Sequence, residues 1–238
     1  MTPSTDLLGK AIHEYFTKKT HHPLLVHSED FDDDSLSPSY FFREYRNMPA
    51  IEKKALTLCR GKILDVGACA GSHALWLQEN GFDATALEWS EKCCQTMKLR
   101  GIQKVVQSDI FDYRQDIFDT ILVLMNGTGI AGTLSRLSDL FVHLKKLLRP
   151  GGQILMDSSD LIYLYEGNDG AATLDLNAEK YYGELNYQFE YKGIKGEPFP
   201  WLYVDIALMQ KIVADCRMEI RQMIKGKHYD YLVQITNH

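Results

Sequence analysis

Residues 62–90 constrain this chain more than any other stretch. They read Lys-Ile-Leu-Asp-Val-Gly-Ala-Cys-Ala-Gly-Ser-His-Ala-Leu-Trp-Leu-Gln-Glu-Asn-Gly-Phe-Asp-Ala-Thr-Ala-Leu-Glu-Trp-Ser. Ile63 to Val66 has the composition of a buried strand, Gly67 to Gly71 of a glycine turn, and Ala74, Leu75 and Leu77 the spacing of a helix. A second apolar strand then ends at Glu88. Strand, glycine turn, helix and acid together describe a site for a nucleoside-containing ligand. A dinucleotide fingerprint places glycines at the first, third and sixth positions, so that backbone amides meet a pyrophosphate. Counted from Gly67, those later positions hold Cys69 and Ser72, and the pattern fails at both. The chain instead carries Asp65 two residues before the turn and Gly71 at its fifth position. A carboxylate there repels a pyrophosphate and suits a ligand bearing an amine and a sulfonium.

From Gly61 onward strands and helices alternate, the pattern of a parallel sheet wrapped by helices. Strands are expected near 62–66, 83–88, 104–108, 119–125 and 152–157, with helices near 72–80, 90–100 and 133–148. Ligands of such sheets sit at the carboxyl ends of the strands, so the strand ends carry the functional information. The second strand ends in Glu88, placed about twenty residues after the first glycine, where an acid accepts hydrogen bonds from ribose hydroxyls. Trp89 follows and is a candidate to pack on a base, or simply on the core. The third ends in Ser108-Asp109-Ile110, the fourth in Asn126-Gly127-Thr128-Gly129, and Arg149-Pro150-Gly151-Gly152 marks a turn before the fifth.

These features, in this order, resemble the class I S-adenosylmethionine-dependent methyltransferases over residues 60–160. The resemblance implies a Rossmann-like, seven-stranded, mostly parallel sheet with helices on both faces. It also implies a set of cofactor-binding residues. Asp65, Gly67, Ala68 and Gly71 would cradle the methionine end, Glu88 the ribose, and Asp109 the adenine amino group with Ile110 and Trp89 against the ring. Asn126 would lie where the methyl group meets its acceptor. Cys69 stands where the family more often has glycine. No metal is required, and no catalytic residue is assigned: Asp157, Asp160 and His13 are conceivable bases that sequence does not place.

Outside that span, Leu8, Ile12, Tyr15 and Phe16 predict a helix over 7–19, and Met48 to Leu58 a second one. Residues 1–58 are thus expected to be a helical or lid segment ahead of a domain spanning 59–238. The run Tyr40-Phe41-Phe42-Arg43-Glu44-Tyr45 suits either a wall beside the site or ordinary core packing. His21-His22 and Glu29 to Asp34 are expected to be exposed loops. An EF-hand reading of Asp30, Asp32 and Asp34 fails because Ser35 and Phe41 stand where that loop needs glycine and glutamate. After the fifth strand, aromatic and polar residues alternate over 180–192 and 199–204, predicting an antiparallel hairpin inside an insertion at 161–204. Its tyrosines suit an acceptor pocket or an edge contact equally. A helix over 206–216 and two strands near 218–224 and 229–235 close the chain.

Composition narrows the partners. At 238 residues the chain is long enough for a substantial core, and a formal net charge of -6 disfavours non-specific nucleic acid binding. The lack of nucleobase-modifying motifs after strand four also favours a small-molecule acceptor, with protein second. No apolar run reaches membrane-spanning length and the start lacks a signal peptide layout. Five cysteines without a C-x-x-C pair indicate free thiols, and with them a cytoplasmic protein. Two other classes stay open: a non-catalytic S-adenosylmethionine-binding protein and, more remotely, a nicotinamide oxidoreductase.

Overall fold

Strands that are apolar on both sides need helices over both faces of their sheet, and the chain supplies them. The computed structural model describes residues 6–165 and 180–237. Its elements are α1 (Leu7–Lys18), β1 (Leu24–Ser28), β2 (Asp34–Leu36), α2 (Ala50–Leu58), β3 (Lys62–Val66), α3 (Ser72–Glu79), β4 (Asp83–Glu88), α4 (Glu91–Leu99), β5 (Val105–Gln107) and β6 (Phe118–Val123). They continue with α5 (Leu134–Lys146), β7 (Leu148–Ser159), β8 (Glu184–Tyr191), β9 (Ile194–Lys195), β10 (Phe199–Leu202), α6 (Ile206–Asp215), β11 (Met218–Lys225) and β12 (Asp230–Asn237). The glycine-rich stretch from Glu166 to Leu176 lies outside the described residues. Among the described residues no helix is long and apolar enough to cross a membrane.

Seven strands form the main sheet in the order β11-β12-β7-β6-β3-β4-β5, parallel except that β12 runs against both neighbours. This is the Rossmann-like sheet expected from the sequence. Leu64, Val66, Ile121 and Ile154 bury one face against α5 (Leu137, Leu140, Phe141, Leu144) and α6 (Met209, Ile212, Val213). On the other face Ile63, Leu122 and Leu155 meet Ile51, Ala55 and Leu56 of α2 and Leu77 of α3. The chain leaves β3 toward β4 and β5 and then returns to the opposite side at β6. A crevice therefore opens between the carboxyl ends of β3 and β6.

Two local readings differ from expectation. The Arg-Pro-Gly-Gly turn is a bulge within a long β7: Phe118 pairs with Leu148 while Thr120 pairs with Gln153, so Arg149–Gly152 loops out between them. The region of the charged loop carries β1 and β2, with Leu24 opposite Leu36 and acidic residues at the hairpin tip. These two short strands find their partner in β8, where Val26 faces Phe189, and β8 in turn pairs with β10 and β9. The N-terminal segment and the inserted hairpin thus build one antiparallel sheet, β10-β8-β1-β2, with β9 on β8.

That sheet docks on the short turn of helix Gly127–Ala131 that follows β6. A Cβ added to Gly129 would lie 2.0 Å from Cε2 of Trp201 on β10, so the indole packs where only glycine leaves room. Gly129→Ala is expected to lower stability by about 1–3 kcal/mol through overpacking against the Trp201 indole. Urea unfolding followed by tryptophan fluorescence measures the change, and an unaltered midpoint would contradict this packing.

Candidate cofactor and acceptor site

The glycine turn is built on left-handed backbone. Gly67 has φ +69°, Gly71 +79° and Cys69, a residue with a side chain, +51°. Glycine adopts such angles freely while other residues pay for them, which accounts for Cys69 as the unusual member of the turn. A Cβ on Gly71 would meet Ile102 Cδ1 at 2.2 Å. The amides of Gly67 and Ala68 donate to Leu87 O at 2.9 and 3.2 Å, fixing the turn against the end of β4.

Glu88, one residue further along β4, is buried at 6% exposure. Its Oε2 accepts from Cys69 N and its Oε1 from Ser90 N, both at 2.9 Å. Burial pushes its carboxyl up to about 7, against the pull of those amides. Each oxygen keeps a further lone pair for donors such as vicinal hydroxyls. Ser90 Oγ also donates to Asp6 Oδ2 at 2.5 Å, and Asp6 caps α1 by accepting from Gly9 N at 2.8 Å, so α1 is anchored beside the end of β4. Trp89 is exposed at the mouth (38%) and Ile110 is buried. Asp109 is exposed, its Oδ1 accepting from Phe111 N at 2.8 Å in a local turn.

Asp65 ends β3 almost wholly buried (2% exposed), and its Oδ2 has no hydrogen-bond partner in the fold. Desolvation raises its carboxyl to about 6, opposed by nearby His73. His73 Nε2 donates to Glu52 Oε2 at 2.8 Å, and Arg43 Nη2 donates to Glu52 Oε1. Burial works against both charges, yet the pairing prevails: Glu52 is held below the carboxylate range and His73 above the usual imidazole value. Sequence reasoning missed Arg43, Glu52 and His73. Glu52 sits between Ile51 and Ala55 on the buried face of α2, and an acid on an apolar helix face was the signal available.

At the end of β6, Met125 and Asn126 occupy consecutive left-handed conformations (φ +68° and +61°). Asp157 on β7 holds them there, accepting from Met125 N at 3.1 Å and Gly127 N at 2.9 Å, and burial raises it to about 6. Both its oxygens are thereby engaged. The Asn126 amide donates to Leu202 O at 3.0 Å and accepts from Ser158 Oγ at 3.3 Å, tying the turn to β10. Asp160 accepts from Tyr182 Oη at 2.7 Å. His13 contacts Thr96 Oγ1 at 3.1 Å between α1 and α4. Asp65, Gly67, Ala68 and Gly71 thus stand at and just after the carboxyl end of β3, Glu88 and Trp89 at that of β4, Asp109 and Ile110 after β5, and Met125 and Asn126 after β6, while His13 lies between α1 and α4.

A methyltransferase domain family model matches residues 64–156, which span β3 through most of β7. The chain is 43% identical to an S-adenosylmethionine-dependent methyltransferase of Bacteroides fragilis whose crystal structure holds S-adenosyl-L-homocysteine. The match covers 100% of this chain and 97% of that one, with a TM-score of 0.91. The chain belongs to the S-adenosylmethionine-dependent methyltransferases. More distant structures share the fold: the CcbJ methyltransferase of Streptomyces caelestis (15% identity, 81% and 94% coverage, TM-score 0.63) and DesVI of Streptomyces venezuelae (16%, 79% and 91%, 0.57). No curated protein matches the chain.

Two buried carboxylates at the ends of β3 and β4 keep acceptor capacity. An unpartnered buried carboxylate oxygen on Asp65 suits an ammonium group, and the doubly held Glu88 carboxylate suits a diol. Burying these acids has a measurable consequence. Asp65, Glu88 and Asp157 are raised when folded, so the folded enzyme keeps protons the unfolded chain has already lost. Their stabilising contribution is complete below about pH 4 and is lost as pH rises through about 6 to 7. His73, also raised, acts in the same direction. Calorimetric melts without ligand should show Tm falling from about pH 5 to 8, and saturating S-adenosylhomocysteine should shrink that fall.

Proposed function

We propose that this methyltransferase methylates an oxygen or nitrogen of a small molecule received between the carboxyl ends of β6 and β7 and the antiparallel sheet. The observation that carries this reading is the docking of β10 on the turn after β6. Asn126 Nδ2 and Thr128 Oγ1 donate to Leu202 O at 3.0 and 2.9 Å, Val204 N donates to Ser158 Oγ at 2.9 Å, and Trp201 packs on Gly129. Behind them Tyr187 and Tyr203 share a hydroxyl contact at 3.2 Å, and Phe189 and Phe199 pack at 4.7 Å. A mostly aromatic wall with a few placed polar atoms is the lining typical of small-ligand sites. Free thiols at all five cysteines suit action in a reducing compartment such as the cytoplasm.

On this reading Glu88 accepts from both ribose hydroxyls, Asp109 from the adenine amino group, and Ile110 and Trp89 flank the ring. Asp65 takes the ammonium of the methionine arm, above the backbone of Gly67, Ala68 and Gly71. Bound S-adenosylmethionine supplies a methyl group already activated by its sulfonium. The protein's part is to hold the nucleophile in line and to exclude competing water. Asp157 accepts a backbone amide on each oxygen and His13 lies between α1 and α4. Because the methyl group arrives already activated, holding the acceptor in line is the larger demand on the protein.

Glu88→Ala should weaken S-adenosylhomocysteine binding by about 1–3 kcal/mol in calorimetry, the cost of losing charge-assisted hydrogen bonds; unchanged affinity would contradict the ribose assignment. For the acceptor, the enzyme is incubated with methyl-labelled cofactor and fractionated cell extract. Label is expected in low-molecular-weight material, and label confined to protein would overturn the small-molecule reading. Trp201→Ala should depress that transfer at least about tenfold while leaving the cofactor Kd within about twofold.

A further inference from the structure

A cavity of about 330 Å³ opens between α1, the start of α4 and β9, and its lining shares no residue with the cofactor crevice. That volume is of the size that small-molecule sites have. Lys10 and Lys18 of α1 and Lys92 of α4 border it, and Asp6 and Glu14 are the acids on its wall. Both acids are already engaged. Asp6 accepts from Gly9 N and Ser90 Oγ, and Glu14 accepts from Lys18 at 3.2 Å, Lys192 at 2.5 Å and Tyr191 Oη at 3.1 Å. The Lys192 ammonium, more than the other partners, holds the Glu14 carboxyl down to about 2, so its charge is present and shared between two lysines. Lys92 donates only to the uncharged Gln95 Oε1 at 3.2 Å, and the Lys10 ammonium has no partner among the described residues. Two cations are therefore left uncompensated on one wall of a chain whose net charge is -6.

His13 borders the same cavity and responds to that surplus. Thr96 Oγ1 donates its proton to Lys92 O at 2.8 Å, so toward His13 Nδ1, 3.1 Å away, it accepts. The proton of the neutral ring therefore sits on Nδ1, and Nε2 is left without a partner among the described residues. Burial first, then the charges of Lys92 and Lys18, hold His13 below the usual imidazole value against the opposite pull of Glu14. An anion in the cavity reverses this balance. The ring then takes a proton on Nε2 and becomes a third donor beside Lys10 and Lys92.

We propose that this cavity is a second ligand site, which takes a small phosphate monoester on Lys10, Lys92 and His13 with its organic part against Leu7 and Ile194. Two unpaired ammonium groups match the two negative charges that a phosphate monoester carries at neutral pH. A monocarboxylate leaves one of them unmatched, and a bare ion leaves most of the volume and the apolar side chains unused. The site is independent of the cofactor placement. It adjoins it all the same, since Asp6 on the cavity wall accepts from Ser90, whose backbone N–H donates to Glu88.

Phenyl phosphate, inorganic phosphate and phenol, titrated into the native enzyme by calorimetry at low ionic strength, test the site. Phenyl phosphate is expected to bind with a Kd below about 1 mM and inorganic phosphate at least about threefold more weakly, with no heat from phenol. Lys10→Gln and Lys92→Gln should each weaken phenyl phosphate at least about fivefold. In the native enzyme, NMR titration of the His13 ring should show its pKa rising when phenyl phosphate saturates, a shift that a purely structural histidine does not make. No binding of phenyl phosphate at about 10 mM would overturn the proposal. So would an affinity unchanged in both variants, or a His13 titration that phenyl phosphate leaves in place. Inorganic phosphate binding as tightly as phenyl phosphate would overturn the assignment to an ester.

Discussion

The carboxylate of Glu88 joins the parts of this enzyme that have to meet. Each oxygen takes one backbone N–H, from Cys69 in the glycine turn and from Ser90 at the start of α4. Ser90 passes the connection on to Asp6 and so to α1. A carboxylate at the amino end of a helix is favoured by the helix dipole, yet at this depth desolvation is the larger effect and raises the group to about 7. The end of β4 therefore holds an acid against the cost of its burial.

The same logic extends along the crevice. Asp65 and Asp157 are buried and raised, and Arg43, Glu52 and His73 form a paired cluster beside them. Burying ion pairs gains little stability over an apolar core. They cluster on the side of the sheet's carboxyl ends, while α5 and α6 cover an apolar sheet face, and the proposed binding role gives a reason for burying them there. The strained pair Met125-Asn126 belongs with them. Two successive left-handed residues cost free energy, and Asp157 offsets it by accepting from the amides on either side.

The proposed acceptor side depends on long-range assembly. Residues 24–36 and 184–202 are far apart in the chain, yet they pair as one antiparallel sheet whose β10 is pinned to the turn after β6. Each of β1 and β2 is too short to be stable alone. They become stable strands only when β8 supplies hydrogen-bond partners to β1. Asp34, expected in an exposed loop, is for that reason a paired strand residue opposite Val26.

The main sheet was legible in the residues because its strands are continuous apolar runs separated by glycine and Arg-Pro-Gly-Gly punctuation, and these signals are local. The turn from Gly67 to Gly71, with Asp65 before it and Glu88 after the next strand, named the class of ligand on local order alone, since spacing along a strand-turn-helix unit fixes which groups reach the crevice. Tertiary structure decided what local order cannot encode. It brought Arg43 and Glu52 against His73, engaged Asp157 with the amides after β6, carried His13 into the α1–α4 interface, and built the antiparallel sheet from two remote segments. These placements follow from burial and cross-chain hydrogen bonding, whose energies depend on partners far away in sequence and exist only once the chain has folded.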